Sequence, residues 1–233
     1  VKLSAYDAAQ LIDISAVQAF HGKEEIDDLV SVAKEYSFKA VHVLPSWVTY
    51  LKGLLVDSDK ILIGAPVGFP SGGNKTEIKV IEAQHLVDDG AQELDMMMNV
   101  GKLRSGQYEV VLDDVKRVID TIHPLPVKVI LETHYLTHDE IKKGCEICIE
   151  AGADFVKTST GWAETGATLD VVKLITSFVG DSIQVKAAGG VRGVDAFIEM
   201  YKMGVTRFGI NAQASMELID EINGRPGGEI EFE

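Results

Sequence analysis

The chain has 233 residues, 46% of them hydrophobic, and a formal net charge of −14 from 22 basic and 36 acidic side chains. That length suits one large domain with a sizeable core, and the acidity argues against nucleic acid or anionic membrane as a partner. No apolar run approaches the roughly 20 residues of a membrane span and the first residues carry no signal-peptide core, so a cytoplasmic protein is expected.

Short β-rich runs alternate with helical patterns from one end to the other. A strand is expected over 11–15, a helix over 23–36, and strands over 40–44 and 61–67. A helix over 75–88 leads to a strand over 93–98, a helix over 108–121 and a strand over 127–132. The helix expected over 138–151 opens with a capping box, Thr137 followed three residues on by Glu140. Cys145 and Cys148 fall inside it. A single C-x-x-C pair within an amphipathic helix reads as packed helix residues rather than a zinc or redox site, and it suits a reducing compartment. Strands over 154–159, 183–187 and 206–210 then alternate with helices over 168–178 and 194–203. Gly90, Gly152 and Gly204 each follow a helix, where a left-handed cap is expected. The last segment, 223–233, is Gly-rich and acidic and is expected to be a mobile tail. Eight β/α alternations without a linker predict one domain over 1–222, a closed (β/α)8 TIM barrel. A doubly wound open sheet is the alternative, but no G-x-G-x-x-G follows the first strand.

Side chains alternate along a strand, so each polar residue can be assigned a face. Val41 and Val43 oppose His42; Leu94 and Met96 oppose Glu93, Asp95 and Met97; Val127 and Val129 oppose Lys128; Val156 opposes Lys157; Val185 opposes Lys186. The apolar faces should pack on helices. The other faces then converge inside the barrel as Asp13, Ser15, His42, Asp95, Lys128, Lys157 and Lys186. Three lysines evenly spaced at 128, 157 and 186 belong to consecutive strands. A buried ammonium is costly unless it is paired or has a task, and crowded cations push protons off one another to leave a nucleophilic amine. His42 alone fits a satisfied interior histidine, and Lys128 alone fits structural pairing as well as catalysis. Lys157 and Lys186 together, each leading into small residues and Gly in KTSTG and KAAGGVRG, are harder to explain as packing. Such loops free backbone N–H groups for an anion, and barrels bind phosphate at loops late in the chain.

These stretches, with GFPSGGNKTEIKVIEA, GAQELDMMMNVGKLRSGQ and KVILETHYLT, resemble the deoxyribose-phosphate aldolase family across most of the chain. The resemblance implies a class I aldolase on a (β/α)8 barrel, without metal or cofactor and commonly dimeric, acting on a small sugar phosphate or aldehyde. Lys157 matches the Schiff-base lysine, and Lys186 the second lysine whose charge lowers the pKa of the first. Asp95 matches the aspartate that relays protons. Asp13, Ser15, His42, Lys128 and Thr158 are the remaining interior candidates for substrate binding. Gly161, Gly189, Gly190 and Gly209 match the glycines of the phosphate loops, and Asn211, in the last of them, can still donate a hydrogen bond. The implied reaction is reversible cleavage of 2-deoxy-D-ribose 5-phosphate to glyceraldehyde 3-phosphate and acetaldehyde.

Three departures stand out. Asp13-Ile14-Ser15 replaces the family's D-H-T or D-L-T, and His42 stands where a cysteine is usual. The last loop reads Arg207-Phe208-Gly209-Ile210-Asn211-Ala212, with neither of the two usual serines. The Schiff-base groups are therefore retained while those for the far end of the substrate are altered. An aldolase of the same mechanism with another, perhaps unphosphorylated, aldehyde is the alternative. A non-catalytic sugar-phosphate-binding barrel is a further one.

Overall fold

A computed structural model describes residues 2–232. Strands β1 (Lys2–Ser4), β2 (Ile12–Ala16), β3 (Ala40–Val43), β4 (Leu62–Val67) and β5 (Glu93–Met97) are followed by β6 (Val127–Ile130), β7 (Phe155–Lys157), β8 (Gln184–Ala188), β9 (Arg207–Gly209) and β10 (Glu229–Glu231). The helices between them are α1 (Ala5–Ala9), α2 (Lys23–Tyr36), α3 (Val48–Leu54), α4 (Thr76–Asp89), α5 (Val100–Arg104), α6 (Tyr108–Ile122), α7 (His138–Ala151), α8 (Leu169–Val179), α9 (Val194–Lys202) and α10 (Ala212–Asn223). Strands β2 to β9 pair in chain order, all parallel, and β9 closes on β2. This is the expected TIM barrel, not the open sheet.

The expected helix ends form as their chemistry dictates. Thr137 caps α7, its Oγ1 accepting from Glu140 N at 3.3 Å while Glu140 Oε2 accepts from Thr137 N at 2.7 Å. Gly90 and Gly152 end α4 and α7 in the left-handed region, at φ of 118° and 80°. The outward faces of the strands, among them Val41, Val43, Leu94, Met96, Val129, Val156 and Val185, are buried against the helices. Each such side chain contributes about 1.5–3 kcal/mol. This annulus is the apolar core, and it leaves the lumen free to hold charge.

The segment 223–233 was expected to be mobile, and over its described residues it is ordered. Residues Glu229–Glu231 pair antiparallel with Lys2–Ser4, Ile230 is buried, and Lys2 forms an ion pair with Glu229. The Phe232 ring meets Tyr201 edge-on at 5.6 Å. Acidic composition suggested a tail, but the alternation Glu-Ile-Glu-Phe is that of a strand with one apolar face. Helix α10 was also missed, because Asn211 was taken for loop chemistry. Its Oδ1 accepts from Ala214 N at 2.9 Å and so caps that helix.

Candidate active site

Parallel register sets the polar residues side by side: Ser15 with His42, Asp95 with Lys128, Lys157 with Lys186, and Lys186 with Arg207. Asp95 is the hub. Its Oδ2 lies 2.6 Å from Lys157 Nζ and 2.8 Å from Lys186 Nζ, and its Oδ1 lies 3.3 Å from Lys128 Nζ. Lys186 also reaches Asp13 Oδ2 at 2.6 Å. The Arg207 guanidinium forks between Asp13 Oδ1 at 3.0 Å and Glu93 Oε2 at 2.9 Å. Lys128 Nζ approaches Glu93 Oε1 at 2.7 Å, an ionic contact without hydrogen-bond alignment. Apart from Lys157, whose side chain is 12% exposed, and Arg207, at 10%, these side chains are almost wholly buried.

The two central lysines are pushed in opposite directions. Burial, which penalises the charged form, is the main reason that Lys157 falls to about 8; the neighbouring Lys186 adds to this and Asp95 opposes it. The charge of Lys186 is thus the second of the lowering influences and not the first. Burial also works against the Lys186 ammonium, but Asp13, Asp95 and Glu93 outweigh it and hold its pKa above the usual lysine range. Burial likewise opposes ionisation of Asp13 and Asp95, yet the surrounding cations keep both carboxyls well below the usual range. Three carboxylates, Asp13, Glu93 and Asp95, answer three cations, Lys128, Lys186 and Arg207. The charges in this cluster therefore balance when Lys157 is neutral. Asp13, His42 and Glu93 bring donor atoms within 4.8 Å of one another, but cations already on those carboxylates leave the set a poor fit for a metal ion.

Above the cluster, at the C-terminal ends of the strands, opens a cavity of about 530 Å³. It is lined by Asp13, Ser15, His42, Asp95, Lys157, Lys186, Gly161, Gly189, Gly190, Gly209 and Asn211. Lys128 and Thr158 were expected among the binding residues and do not line it. Lys128 lies beneath, as a counterion to Glu93 and Asp95. Thr158 Oγ1 donates to Ala188 O at 2.7 Å and accepts from Ala188 N at 2.9 Å, tying β7 to β8. Gly189 and Gly190 are both left-handed, at φ of 80° and 101°, and form a backbone concavity suited to an anion. Asn211 spends its carbonyl oxygen on the α10 cap, which leaves its amide N–H groups to donate.

Sequence reasoning passed over Glu93 and Arg207. Strand alternation put Glu93 on the face of Asp95 and Arg207 on that of Gly209, so the signal was present. Gln18, His21 and Arg192 also line the cavity; they lie on loops, where no periodicity marks them.

A DeoC/LacD family aldolase profile matches residues 8–215. The chain belongs to that aldolase family. A deoxyribose-phosphate aldolase of Rhizobium meliloti (strain 1021) is 45% identical over 230 residues, which is 99% of this chain and 93% of the relative. One from Klebsiella pneumoniae is 43% identical over 94% of this chain and 88% of its own length. Among solved structures, "QR15, an Aldolase" superposes with a TM-score of 0.87 at 39% identity, covering 93% of this chain and 96% of that one. A putative deoxyribose-phosphate aldolase from Coccidioides immitis gives 0.90 at 34% identity, covering 96% and 88%. Like these relatives, the DeoC/LacD aldolase described here is an aldehyde-lyase, built around a lysine-lined lumen.

Proposed function

We propose that this aldolase reversibly cleaves 2-deoxy-D-ribose 5-phosphate to glyceraldehyde 3-phosphate and acetaldehyde, through an imine on Lys157. The observation that carries the mechanism is the single Asp95 oxygen shared by Lys157 at 2.6 Å and Lys186 at 2.8 Å. With its pKa lowered to about 8, Lys157 has a far larger neutral fraction at pH 7 than an ordinary lysine. Neutral Nζ attacks C1 of the open-chain sugar, and loss of water leaves the iminium. Asp95, through a water held by the Lys186 ammonium, takes the proton from the C3 hydroxyl. The C2–C3 bond breaks, its electron pair moves towards the iminium to give an enamine, and the aldehyde forms at C3. Protonation at C2 and hydrolysis release acetaldehyde.

The substrate's hydroxyl end falls to Asp13 and Ser15, and its phosphate to the backbone around Gly161, Gly189, Gly190 and Gly209 with Asn211. The cavity walls and the left-handed pair Gly189-Gly190 support that orientation. The overall charge of −14 means that these local groups must gather the anion by themselves. Free, buried cysteines suit a reducing, cytoplasmic setting. A homodimer is the assembly proposed; sedimentation tests it against a larger one such as that of the Aeropyrum pernix aldolase, described as tetrameric.

Borohydride trapping with deoxyribose 5-phosphate, and separately with acetaldehyde, tests the mechanism by peptide mass spectrometry. A reduced adduct at Lys157 from both is expected. An adduct from acetaldehyde alone would favour a second reading, an aldolase with changed acceptor recognition, which Ala212 motivates because it offers no side-chain donor. No adduct from either would overturn imine catalysis.

A further inference from the structure

His42 is not spent by the mechanism above. It sits on β3 with its side chain 6% exposed, and it lines the cavity. Its partner in register is Gly64 of β4. A Cβ on Gly64 would fall 2.2 Å from His42 Cε1, so the ring rests against bare backbone and its place depends on that glycine. His42 Nε2 lies 3.0 Å from Glu93 Oε1 and 3.6 Å from Asp13 Oδ2. A carboxylate only accepts, so Nε2 carries a hydrogen towards Glu93, and in the Nε2–H tautomer the free lone pair lies on Nδ1. Nδ1 faces Asp95 Oδ2 at 3.9 Å, too far for a direct hydrogen bond. That same oxygen touches Lys157 Nζ at 2.6 Å.

We propose that His42 is the group that moves protons at the carbon next to the imine, while Asp95 and Lys186 serve the hydroxyl. The proposal rests on the Lys157 imine. In the iminium of acetaldehyde, Nδ1 takes a proton from the methyl carbon. An N–H bond forms, the C–H pair becomes the C=C bond of the enamine, and the C=N π pair returns to nitrogen. The imidazolium so formed lies between Glu93 and Asp95, which stabilise its charge. In the cleavage direction the same N–H returns its proton to C2 of the enamine. The charged groups around the ring come from every neighbouring strand that carries one: Asp13 on β2, Glu93 and Asp95 on β5, and, across those carboxylates, Lys128, Lys186 and Arg207 on β6, β8 and β9.

His42→Gln can keep an N–H donor to Glu93 and cannot carry the proton. Two readouts separate the steps: borohydride trapping of acetaldehyde on Lys157, and exchange of acetaldehyde methyl protons in D2O followed by NMR. In His42→Gln, trapping should persist within about threefold while exchange falls on the order of a hundredfold, the usual scale of general acid–base catalysis. Unchanged exchange would overturn the proposal, as would loss of trapping and exchange together in a folded variant, since His42 would then only shape the imine site. If His42→Gln fails to fold by circular dichroism, His42→Asn, which also cannot carry the proton, is judged by the same criteria. Absence of an adduct in the unaltered protein would instead overturn the imine itself.

Discussion

Lys157 illustrates what a reactive side chain costs the fold that holds it. Its amine releases a proton at about 8 in the folded protein and at 10.5 when solvated. Each unit of difference is worth about 1.4 kcal/mol, so the protonated lysine is disfavoured here by roughly 2–4 kcal/mol. Lys157→Met keeps the length and removes the charge, and Asp95 retains Lys186 and Lys128 as counterions. The variant should be more stable than the parent in urea unfolding at pH 7, while losing the borohydride adduct. The pH dependence has a defined sign. Between about 8 and 10.5 the unfolded lysine holds its proton and the folded one does not, so the parent gains stability as pH rises. The advantage of Lys157→Met is therefore full below about 8 and shrinks towards pH 10.5; an advantage independent of pH would contradict this account. Lys157, Lys186 and Asp95 were legible in the sequence because a charge on an otherwise apolar strand has few innocent explanations. Glu93 and Arg207 stand one at the start of a strand and one beside a loop motif, where charge is unremarkable, so alternation placed them on the inner face without marking them as members of the site.

Between β6 and β7 a different device orders the site. Glu132 is buried and holds a left-handed backbone at φ 54°, which is strained for a residue with a side chain. Its carboxylate accepts from Thr160 N at 3.2 Å and from Thr160 Oγ1. Thr160 Oγ1 in turn accepts from Trp162 N at 2.9 Å, and the Trp162 indole N–H donates to Val17 O at 3.2 Å across the mouth. The loop that follows Lys157 is therefore pinned at its middle by Glu132. Glu132→Ala leaves the Thr160 N–H without its acceptor, a loss of about 1–3 kcal/mol. It should raise KM for the sugar phosphate more than it lowers kcat, and it should speed amide exchange at Gly161 and Trp162. Equal protection of those amides in both proteins would remove Glu132 from this role. Sequence reasoning extended β6 to residue 132 because Leu131 and Glu132 continue the alternation. The strand stops at Ile130 because the chain turns there to bring this carboxylate under the next loop. Helices of strong periodicity, α2 and α7, were found to the residue, whereas α10 was hidden by a cap that doubles as cavity wall.

At the scale of the whole molecule the (β/α)8 architecture was legible from eight regular alternations, and its closure follows from β9 pairing with β2. The closing of the two chain ends by β1 and β10 was not, because three-residue strands leave little pattern to find. Global charge also acts at this scale. A net charge of −14 repels a sugar phosphate at long range. The screening length falls from about 30 Å at 0.01 M salt to about 8 Å at 0.15 M. Catalytic efficiency with deoxyribose 5-phosphate should therefore rise over that range, and efficiency with an uncharged aldehyde should not. Steady-state kinetics with matched substrates would reveal it, and a fall with salt would mean that the local cations dominate the encounter.

The salt bridges of the lumen also bear on how the chain is made. Asp13 is synthesised long before its two closest cations, Lys186 at 2.6 Å and Arg207 at 3.0 Å. Glu93 likewise waits for Arg207. A carboxylate cannot be buried in a dry lumen before its counterions exist. A chain emerging from the ribosome must keep its first strands wet until the last pair has left the exit tunnel. The groups assigned to catalysis thereby act as a checkpoint on synthesis, one that leaves a prematurely terminated chain open to proteases.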